Sequence, residues 1–369
     1  MQAYLGVDVG SVTTKLVVLD QDYRVLESLY LRTRGKPLEV VQEGLRQLRG
    51  RVAGVEIAGV GTTGSGRYLA GVVVGADVVK NEITAHAVAT SHFVPGVQTI
   101  IEIGGQDSKI IILRDGVAVD FGMNTVCAAG TGAFLDQQAA RLNVDIQSVG
   151  PLALKSKSPV RIAGRCTVFA ESDMIHKQQM GHRVEDILYG LCQAMARNYL
   201  NNVGLGKEIL PLVAFQGGVA FNHGMLRAFE EALGVPVQVP AHHEVMGAIG
   251  AAMLACEAMR RAPQPTRFKG FAVGELHYRT TSFECRHCSN HCEIVQVAVD
   301  KKVVARWGGR CDRWEVTEAS RALPARARRI NGHGRPPALN LAGLDAPLAV
   351  GELESAGPES PGPDCAACN

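Results

Sequence analysis

The sequence has no excess charge of either sign, no long apolar run and no recognisable leader. Its 38 Lys and Arg residues against 36 Asp and Glu leave a net charge of +2 over 369 residues, which gives no reason to expect nucleic acid or an acidic membrane as a partner. No apolar run approaches the roughly 20 residues that a membrane helix needs. Residues 1–10 lead directly into an apolar strand, without the basic region, apolar core and cleavage site of a signal peptide. We therefore expect a soluble, cytoplasmic protein.

Three glycine-rich turns of the chain differ from the two best-known nucleotide-binding signatures. None of the three, at residues 6–15, 102–109 and 216–222, matches the Walker pattern or the dinucleotide-binding fingerprint, which excludes those two nucleotide folds for these turns. The 369 residues, 46% of them hydrophobic, leave room for two domains or one large bilobal domain, and the 41 glycines indicate many tight turns.

The apolar segments follow one pattern that occurs twice along the chain. A strand–turn–strand pair is predicted at residues 4–9 and 15–20 and again at residues 99–103 and 109–114, with a short strand at 55–59 and a further buried strand at 210–215. Helices are predicted at 39–48, 132–142, 168–180, 184–204, 223–233 and 244–260. Strand pairs that are followed by helices, twice over, predict a duplicated α/β unit.

Composition then divides the chain. We expect a first lobe at residues 1–90, completed by a helix near 244–262, and a second lobe at 91–243. The character changes near Ala262-Pro-Gln-Pro265, so a small cysteine-rich module is expected at 263–319. Residues 320–369 are rich in Arg, Pro, Gly and Ala without periodicity, which predicts a disordered tail.

The first chemical motif is Gly6-Val-Asp8-Val-Gly10-Ser-Val-Thr-Thr-Lys15, which places an acid at a strand end before a turn of small residues. Such a turn lets backbone N–H groups and hydroxyls approach phosphate oxygens. Asp8 is predicted to hold Mg²⁺ through water, because Mg²⁺ keeps most of its hydration. The predicted phosphate contacts are Gly10, Ser11, Val12, Thr13, Thr14 and Lys15. The alternative is a plain hairpin with a solvent-facing Asp8.

Two more turns repeat this logic. In Glu102-Ile-Gly104-Gly105-Gln106-Asp107-Ser108-Lys109 a glycine pair is predicted to bind phosphate, while Gln106 and Asp107 orient metal or the attacking water. In Gln216-Gly217-Gly218-Val-Ala-Phe-Asn222 a second glycine pair and Asn222 are predicted to meet the nucleoside. Each turn is a weak signal alone, but three at successive strand ends predict an ATP site.

Ten cysteines are many for a cytosolic protein, where they serve as metal ligands or redox groups more often than as disulfides. Cys127, in Asn124-Thr-Val-Cys127-Ala-Ala-Gly-Thr-Gly, and Cys166, in Gly164-Arg-Cys166-Thr-Val-Phe, both stand at predicted helix starts, where N–H groups and the helix dipole favour a thiolate. Two ligands are too few for an iron–sulfur cluster, but two copies of the chain across a two-fold axis would supply four. The alternative is two buried structural thiols, as is predicted for Cys192 and Cys256.

The sequences of these motifs, and their order along the chain, resemble those of the acetate and sugar kinase, Hsc70 and actin superfamily. More narrowly, segments 6–15, 103–109, 124–136, 166–178 and 216–222 resemble the activator ATPases of 2-hydroxyacyl-CoA dehydratases and the ATPase subunits of benzoyl-CoA reductase. The resemblance covers residues 1–260, and it implies an actin-like, ribonuclease H-like ATPase fold of two lobes.

The resemblance also implies a function. Such activators are homodimers with one [4Fe–4S] cluster held by two cysteines of each subunit, here Cys127 and Cys166. ATP, with Mg²⁺, would drive one electron from a reductant such as ferredoxin or flavodoxin to a dehydratase-like or reductase-like iron–sulfur enzyme. Two alternatives stay open. A sugar or carboxylate kinase of the same superfamily would use Asp107 as its base, and a non-catalytic regulator would sense nucleotide or redox state through the same parts.

A second cysteine cluster follows the expected lobes. Cys285-Arg-His-Cys288-Ser-Asn-His-Cys292, with Cys311 further on, supplies four thiolates for zinc or for a second iron–sulfur cluster. This region loosely resembles the cysteine-rich segment that follows the activator domain in long fused members of the family. The alternative is a set of unliganded thiols. Cys365 and Cys368, in the expected tail, are interpreted as accidental thiols.

Overall fold

The computed structural model describes residues 1–124, 127–299, 302–307 and residue 314. Within these residues the strands form two five-stranded sheets and one three-stranded sheet. No helix of this part of the chain is long and apolar enough to span a membrane.

The first sheet has the strand order β3-β2-β1-β4-β5. Its strands are β1, Gln2–Val9; β2, Thr13–Leu19; β3, Val25–Arg32; β4, Glu56–Thr63; and β5, Val78–Val79. The first three strands form an antiparallel meander, and β4 runs parallel to β1. Its helices are α1, Pro37–Arg51; α2, Arg67–Val74; and α3, Glu82–Phe93. Helix α1 buries Val41, Leu45 and Leu48 because these apolar residues recur at helical spacing.

The second sheet, β10-β9-β6-β7-β8, repeats the first strand for strand. Its strands are β6, Thr99–Ile103; β7, Ser108–Arg114; β8, Val117–Asn124; β9, Val213–Gln216; and β10, Val237–Gln238. Again the first three strands form a meander, and β9 is parallel to β6. The helices that follow β8 along the chain are α4, Gly132–Arg141; α5, Ile146–Ala153; α6, Thr167–Gln179; α7, Val184–Asn202; α8, His223–Leu233; and α9, Met246–Arg261. The predicted duplication is therefore confirmed.

Helix α9 returns to the first sheet and packs on β1 and β4. Two glycines permit this approach, since a methyl group on Gly6 would lie 1.8 Å from the Ala248 carbonyl oxygen and one on Gly61 would lie 1.9 Å from that of Ala251. Helix α9 also packs against α3, the helix that precedes the second sheet. Helix α3 in turn packs on the second sheet, so α3 and α9 lie between the two sheets.

The three-stranded sheet consists of β11, Tyr278–Glu284; β12, Glu293–Val299; and β13, Lys302–Trp307. It is attached to the first lobe, whose core includes Val297 of β12 together with Val273. The tail predicted at 320–369 and its two cysteines lie outside the described residues.

Some elements differ from the sequence-based expectations. The strand expected at 55–59 is Glu56–Thr63, and the one expected at 210–215 is Val213–Gln216. Helix α3 was not predicted because it buries residues on most of its sides, which removes the amphipathic pattern. Strands β3 and β8 were not predicted either. Both lie at sheet edges, where mixed, partly exposed residues leave no clear alternation of apolar and polar positions.

Candidate functional site: a nucleotide cleft between two lobes

A cavity of about 560 Å³ opens between the two lobes. Residues of all three predicted turns line it, namely Val12, Thr13, Gly104, Gly105, Gly218 and Asn222. Residues that no motif indicated complete the lining, among them Tyr30, Arg32, Asp136, Gln147 and Phe221. The cavity has the size and the mixed lining of a small-molecule site.

The first turn is held by its own backbone and by Thr33, the residue that follows β3. Gly10 N–H donates to the Thr13 carbonyl at 2.9 Å, and the Thr14 hydroxyl lies 2.9 Å from that of Thr33. Thr14 is fully buried, so its hydroxyl stabilises the turn, whereas Thr13 borders the cavity. Ser11 is exposed.

Asp8 lies behind this turn in a buried ion pair. Its Oδ2 is 3.0 Å from Lys15 Nζ, and only 5% of the residue is exposed. A methyl group on Gly64 would lie 2.5 Å from Asp8 Oδ1 and one on Gly247 2.8 Å from Oδ2, so two glycines make room for the carboxylate. Burial raises the pKa of Asp8, but the charge of the Lys15 ammonium, its hydrogen bond to the carboxylate and the nearby Lys109 together outweigh burial, and the pKa falls below its usual value. The carboxylate is therefore charged at neutral pH.

The second turn is closed by a hydrogen bond from Gly104 N–H to the Asp107 carbonyl, at 3.0 Å. Behind it the buried Lys109 ammonium lies 2.8 Å from Asp107 Oδ2, 3.2 Å from Glu102 Oε2 and 3.7 Å from Glu82 Oε1. Burial raises the pKa of both Glu102 and Glu82 despite Lys109. Gln106 differs from the buried Glu102 and Lys109 in that it is exposed. Of this cluster, Glu102, Asp107 and Lys109 belong to the second motif, whereas Glu82 lies in a helix that carries no motif.

The third turn combines backbone freedom with a helix cap. Gly217 has φ +90°, and a methyl group there would lie 2.4 Å from the Ile103 carbonyl oxygen, so this position requires glycine. The Asn222 side chain accepts hydrogen bonds from the N–H groups of Gly224 and Met225. Asn222 therefore caps α8 while it borders the cavity.

The turns of the two lobes approach each other across the cleft. A methyl group on Gly105 would lie 2.7 Å from Val12 Cβ. At the cavity, Arg32 Nη1 of β3 lies 3.5 Å from Asp136 Oδ2 of α4, with both side chains about half exposed. Tyr30 and Arg32 occupy alternate positions of β3 and so face the cleft together.

A buried histidine joins the two lobes behind the cavity. His86 Nδ1 of α3 lies 2.8 Å from Gln216 Nε2 of β9, and Gln216 Oε1 accepts from the Thr90 hydroxyl at 2.7 Å. Burial, and then the nearby Lys109 ammonium, lower the pKa of His86 to about 4. The imidazole is therefore neutral at physiological pH.

Both predicted cluster cysteines begin a helical segment. Cys166 is the N-cap of α6, and Cys127 is the N-cap of the 3-10 turn Ala128–Gly130, after which α4 begins at Gly132. The helix expected directly after Cys127 is thus preceded by a separate short turn. Neither thiol serves as a side-chain cap, and both are partly exposed. Cys192 and Cys256 are fully buried, as predicted.

In the described part of the cysteine-rich module, the thiols do not form a three-ligand metal site. Cys285 is buried, with its N–H bonded to the Cys292 carbonyl at 2.8 Å, while Cys288 is exposed. In the described ranges no three His, Cys, Asp or Glu residues are arranged to hold a metal ion. Cys311 lies outside those ranges. A metal on this module stays a prediction.

Two lobes of equal topology, three glycine turns around one cavity and charged residues behind the turns define a two-lobed α/β protein with a cleft that suits a nucleotide. A model of the BadF/BadG/BcrA/BcrD ATPase family matches residues 5–255. The chain belongs to this family.

Its relatives include proteins of known structure. The (R)-2-hydroxyglutaryl-CoA dehydratase activating ATPase of Acidaminococcus fermentans is 37% identical over 258 residues, which cover 68% of this chain and 96% of the relative. The crystal structure of component A of that dehydratase matches 70% of this chain and 100% of its own, with 33% identity and a TM-score of 0.66. The activator of 2-hydroxyisocaproyl-CoA dehydratase from Clostridium difficile, with bound ADPNP, matches 70% of this chain and 96% of its own, with 32% identity and a TM-score of 0.64. These likenesses confirm the predicted family and fold.

Proposed function

We propose that this protein is an ATP-driven one-electron donor that activates a 2-hydroxyacyl-CoA dehydratase-like or benzoyl-CoA reductase-like iron–sulfur enzyme. Two copies of the chain would share one [4Fe–4S] cluster, with ferredoxin or flavodoxin as the reductant. The relatives whose names describe dehydratase activators support the choice of partner.

One observation carries the proposal. Two partly exposed cysteines each begin a helical segment, and the segment after Cys127 is hydrogen-bonded to a predicted phosphate turn. Gly132 N–H, the first of α4, donates to the Gly104 carbonyl at 2.9 Å, and Ala133 N–H donates to that of Gly105 at 2.8 Å. A shift of this turn on nucleotide binding would therefore move the start of α4 and the turn that carries Cys127.

The residues present fit half of a shared cluster. Thiolates are the ligands of [4Fe–4S] clusters, and one chain brings two of the four that are needed. Exposed apolar side chains flank both cysteines in sequence, with Val168 65% and Phe169 67% exposed after Cys166 and Met123 39% exposed before Cys127. Such a surface suits burial by a second copy. When bound, the cluster would supply a single electron.

The cleft residues would handle the nucleotide. Asp8, kept charged by Lys15, is the proposed ligand of Mg²⁺ through water. The two turns are proposed to meet the phosphates through the Gly105 amide and the Ser11 and Thr13 side chains, since the N–H groups of Gly10 and Gly104 already close their own turns. Gln106 and Asp107 are proposed to orient the attacking water, and Gly217, Gly218 and Asn222 to meet the nucleoside.

The kinase alternative would use Asp107 as the base for a sugar or carboxylate acceptor. The carboxylate of Asp107 is already paired with the buried Lys109 ammonium at 2.8 Å, so a base at this position would have to give up or share that contact. If the protein is instead a non-catalytic regulator, ATP turnover should be slow, and no partner enzyme should change its rate.

A reconstitution separates these functions. A purified 2-hydroxyacyl-CoA dehydratase would be assayed anaerobically with this protein, ATP, Mg²⁺ and a low-potential reductant. We expect dehydration that requires all of these components and that is absent with Cys127→Ala but present with Cys192→Ala, whose thiol is buried in the core. ATP hydrolysis without dehydration, for this enzyme and for benzoyl-CoA reductase, would contradict the proposal and lead to a screen of phosphoryl acceptors.

A further inference from the structure

Three consecutive residues of α7, namely Arg197, Asn198 and Tyr199, form hydrogen bonds to two segments of the second lobe: the loop before Cys166 and the start of β7. Arg197 Nη2 donates to the Ile162 carbonyl at 3.0 Å, and Asn198 Nδ2 donates to the Gly164 carbonyl, so both bind the loop that leads to Cys166. The Tyr199 hydroxyl donates to the Lys109 carbonyl at 2.6 Å, at the start of β7. One turn of helix therefore contacts a cysteine loop and the strand that leaves a predicted phosphate turn.

Asn198 also borders the other cysteine turn. A methyl group built on Gly130 would lie 3.0 Å from Asn198 Oδ1, 3.4 Å from Asn124 Nδ2 and 3.7 Å from Ser108 Oγ. Asn124 in turn holds Cys127, since its Oδ1 accepts from the Cys127 N–H at 2.9 Å and its Nδ2 donates to the Cys127 carbonyl at 2.7 Å. Ser108 stands opposite Asn124 in the β7–β8 ladder.

Two atoms of this cluster are buried without a partner. Among the described residues, neither Ser108 Oγ nor Asn198 Oδ1 makes a hydrogen bond, although Ser108 is 0% and Asn198 3% exposed. A buried polar atom without a partner is destabilising, because it has lost its hydrogen bonds to water. A hydroxyl donor and an amide oxygen acceptor are complementary, and both atoms lie within 4 Å of one point at Gly130. A small shift of β7 would let them pair.

We propose that Asn198 is a positioning residue that couples the second phosphate turn to both cysteine loops. When nucleotide shifts the turn at residues 104–108, Ser108 donates to Asn198 Oδ1 while Asn198 Nδ2 keeps its hold on Gly164. The start of β7, the Cys127 turn and the Cys166 loop then move as one unit. This inference rests on the proposed function, since it assumes that nucleotide binds at the turn and that the two cysteines are where its effect is used.

Hydrogen exchange followed by mass spectrometry tests this coupling. Exchange is measured with and without a non-hydrolysable ATP analogue in the full-length wild type, Asn198→Ala, Ser108→Ala and Arg197→Ala. In the wild type the analogue should slow exchange at residues 104–109 and change it at 127–131 and 162–167. In Asn198→Ala and Ser108→Ala the change in the two cysteine loops should fall about fivefold, which corresponds to one net hydrogen bond, while protection at 104–109 persists.

Arg197→Ala is the matched control, because it removes another contact of α7 with the Cys166 loop but does not touch the cluster at Gly130. It should keep the nucleotide-dependent change in both cysteine loops. An equal loss in Arg197→Ala would mean that general loosening explains the effect, and it would overturn the inference. If Asn198→Ala does not fold, Ser108→Ala decides alone, since its hydroxyl has no partner to lose within the described structure.

Two further results separate this inference from the proposed function. Protection at 104–109 without any change in the wild-type cysteine loops would overturn the coupling and leave the nucleotide site intact. No protection at 104–109 at saturating analogue would overturn the nucleotide site itself, and the coupling with it.

Discussion

Replacing His86 by Gln should make the protein less sensitive to acid. The side chain is 7% exposed, and its Nδ1 lies 2.8 Å from Gln216 Nε2, a contact that glutamine can also make. Burial, and then the Lys109 ammonium, lower the pKa of His86 from 6.5 to about 4, which the carboxylates of Asp8 and Glu82 offset only in part.

The direction of the effect follows from proton uptake. In the unfolded chain the imidazole gains a proton near pH 6.5, whereas in the folded protein it gains one only near pH 4. The unfolded state therefore binds more protons between these pH values. The stability that neutral His86 contributes is complete above pH 6.5 and is lost as the pH falls towards 4. At about 1.4 kcal/mol per pKa unit, the loss between pH 7 and pH 5 is about 2 kcal/mol.

Thermal unfolding followed by circular dichroism measures this loss. For a unit of 150–250 residues, a change of about 2 kcal/mol shifts Tm by about 4–8 °C. From pH 7 to pH 5, the wild type should therefore lose about 4–8 °C more than His86→Gln, because all other titrating groups are common to both proteins. His92→Gln, at an exposed position of the same helix, should follow the wild type. Parallel losses in the wild type and His86→Gln would refute the account of a buried, neutral imidazole between the lobes.

Three other substitutions, and a control for the last of them, test the cleft and the packing behind it. Asp8→Asn should lower ATP hydrolysis at least about a hundredfold in a coupled phosphate assay while the protein stays folded, and retained turnover would put Mg²⁺ elsewhere. Gly105→Ala places a methyl group 2.7 Å from a valine Cβ of the facing turn, so calorimetry should find ATP affinity about tenfold weaker; unchanged affinity would mean that the turns separate freely. Gly6→Ala, 1.8 Å from the Ala248 carbonyl oxygen, should destabilise by about 3 kcal/mol or more in chemical denaturation. Gly50→Ala in α1 has nothing within 4 Å and should stabilise by up to about 1 kcal/mol, and equal effects of the two glycine substitutions would contradict the close packing of α9.

Much of the fold could be predicted because its buried strands and amphipathic helices leave clear periodic patterns. Strands 99–103 and 109–114 and helix 223–233 agree with the structure to within a residue. Helix α3 could not be found in this way, since a helix that is buried on most sides has no polar face. With it the sequence interpretation missed His86 and Glu82, which act on the site from an element that carries no motif.

The site was predictable where glycine and acidic residues concentrate at strand ends, and less so elsewhere. The residues Val12, Gly105 and Gly218 line one cavity, as the three turns predicted. Tyr30 and Arg32 face the same cavity from an edge strand without any signal, because only the tertiary fold brings β3 to the cleft.

The central claim is that Cys127 and Cys166 of two chains hold one cluster. Iron and acid-labile sulfide are measured on anaerobically purified wild type, Cys127→Ala and Cys192→Ala, together with ATP binding. We expect about four irons and four sulfides per two chains in the wild type, a loss of all four in Cys127→Ala, and no loss in Cys192→Ala, with ATP binding retained throughout. Iron that survives Cys127→Ala would have to reside in the cysteine-rich module. A wild type without iron, or an iron content that Cys127→Ala leaves unchanged, would contradict the account.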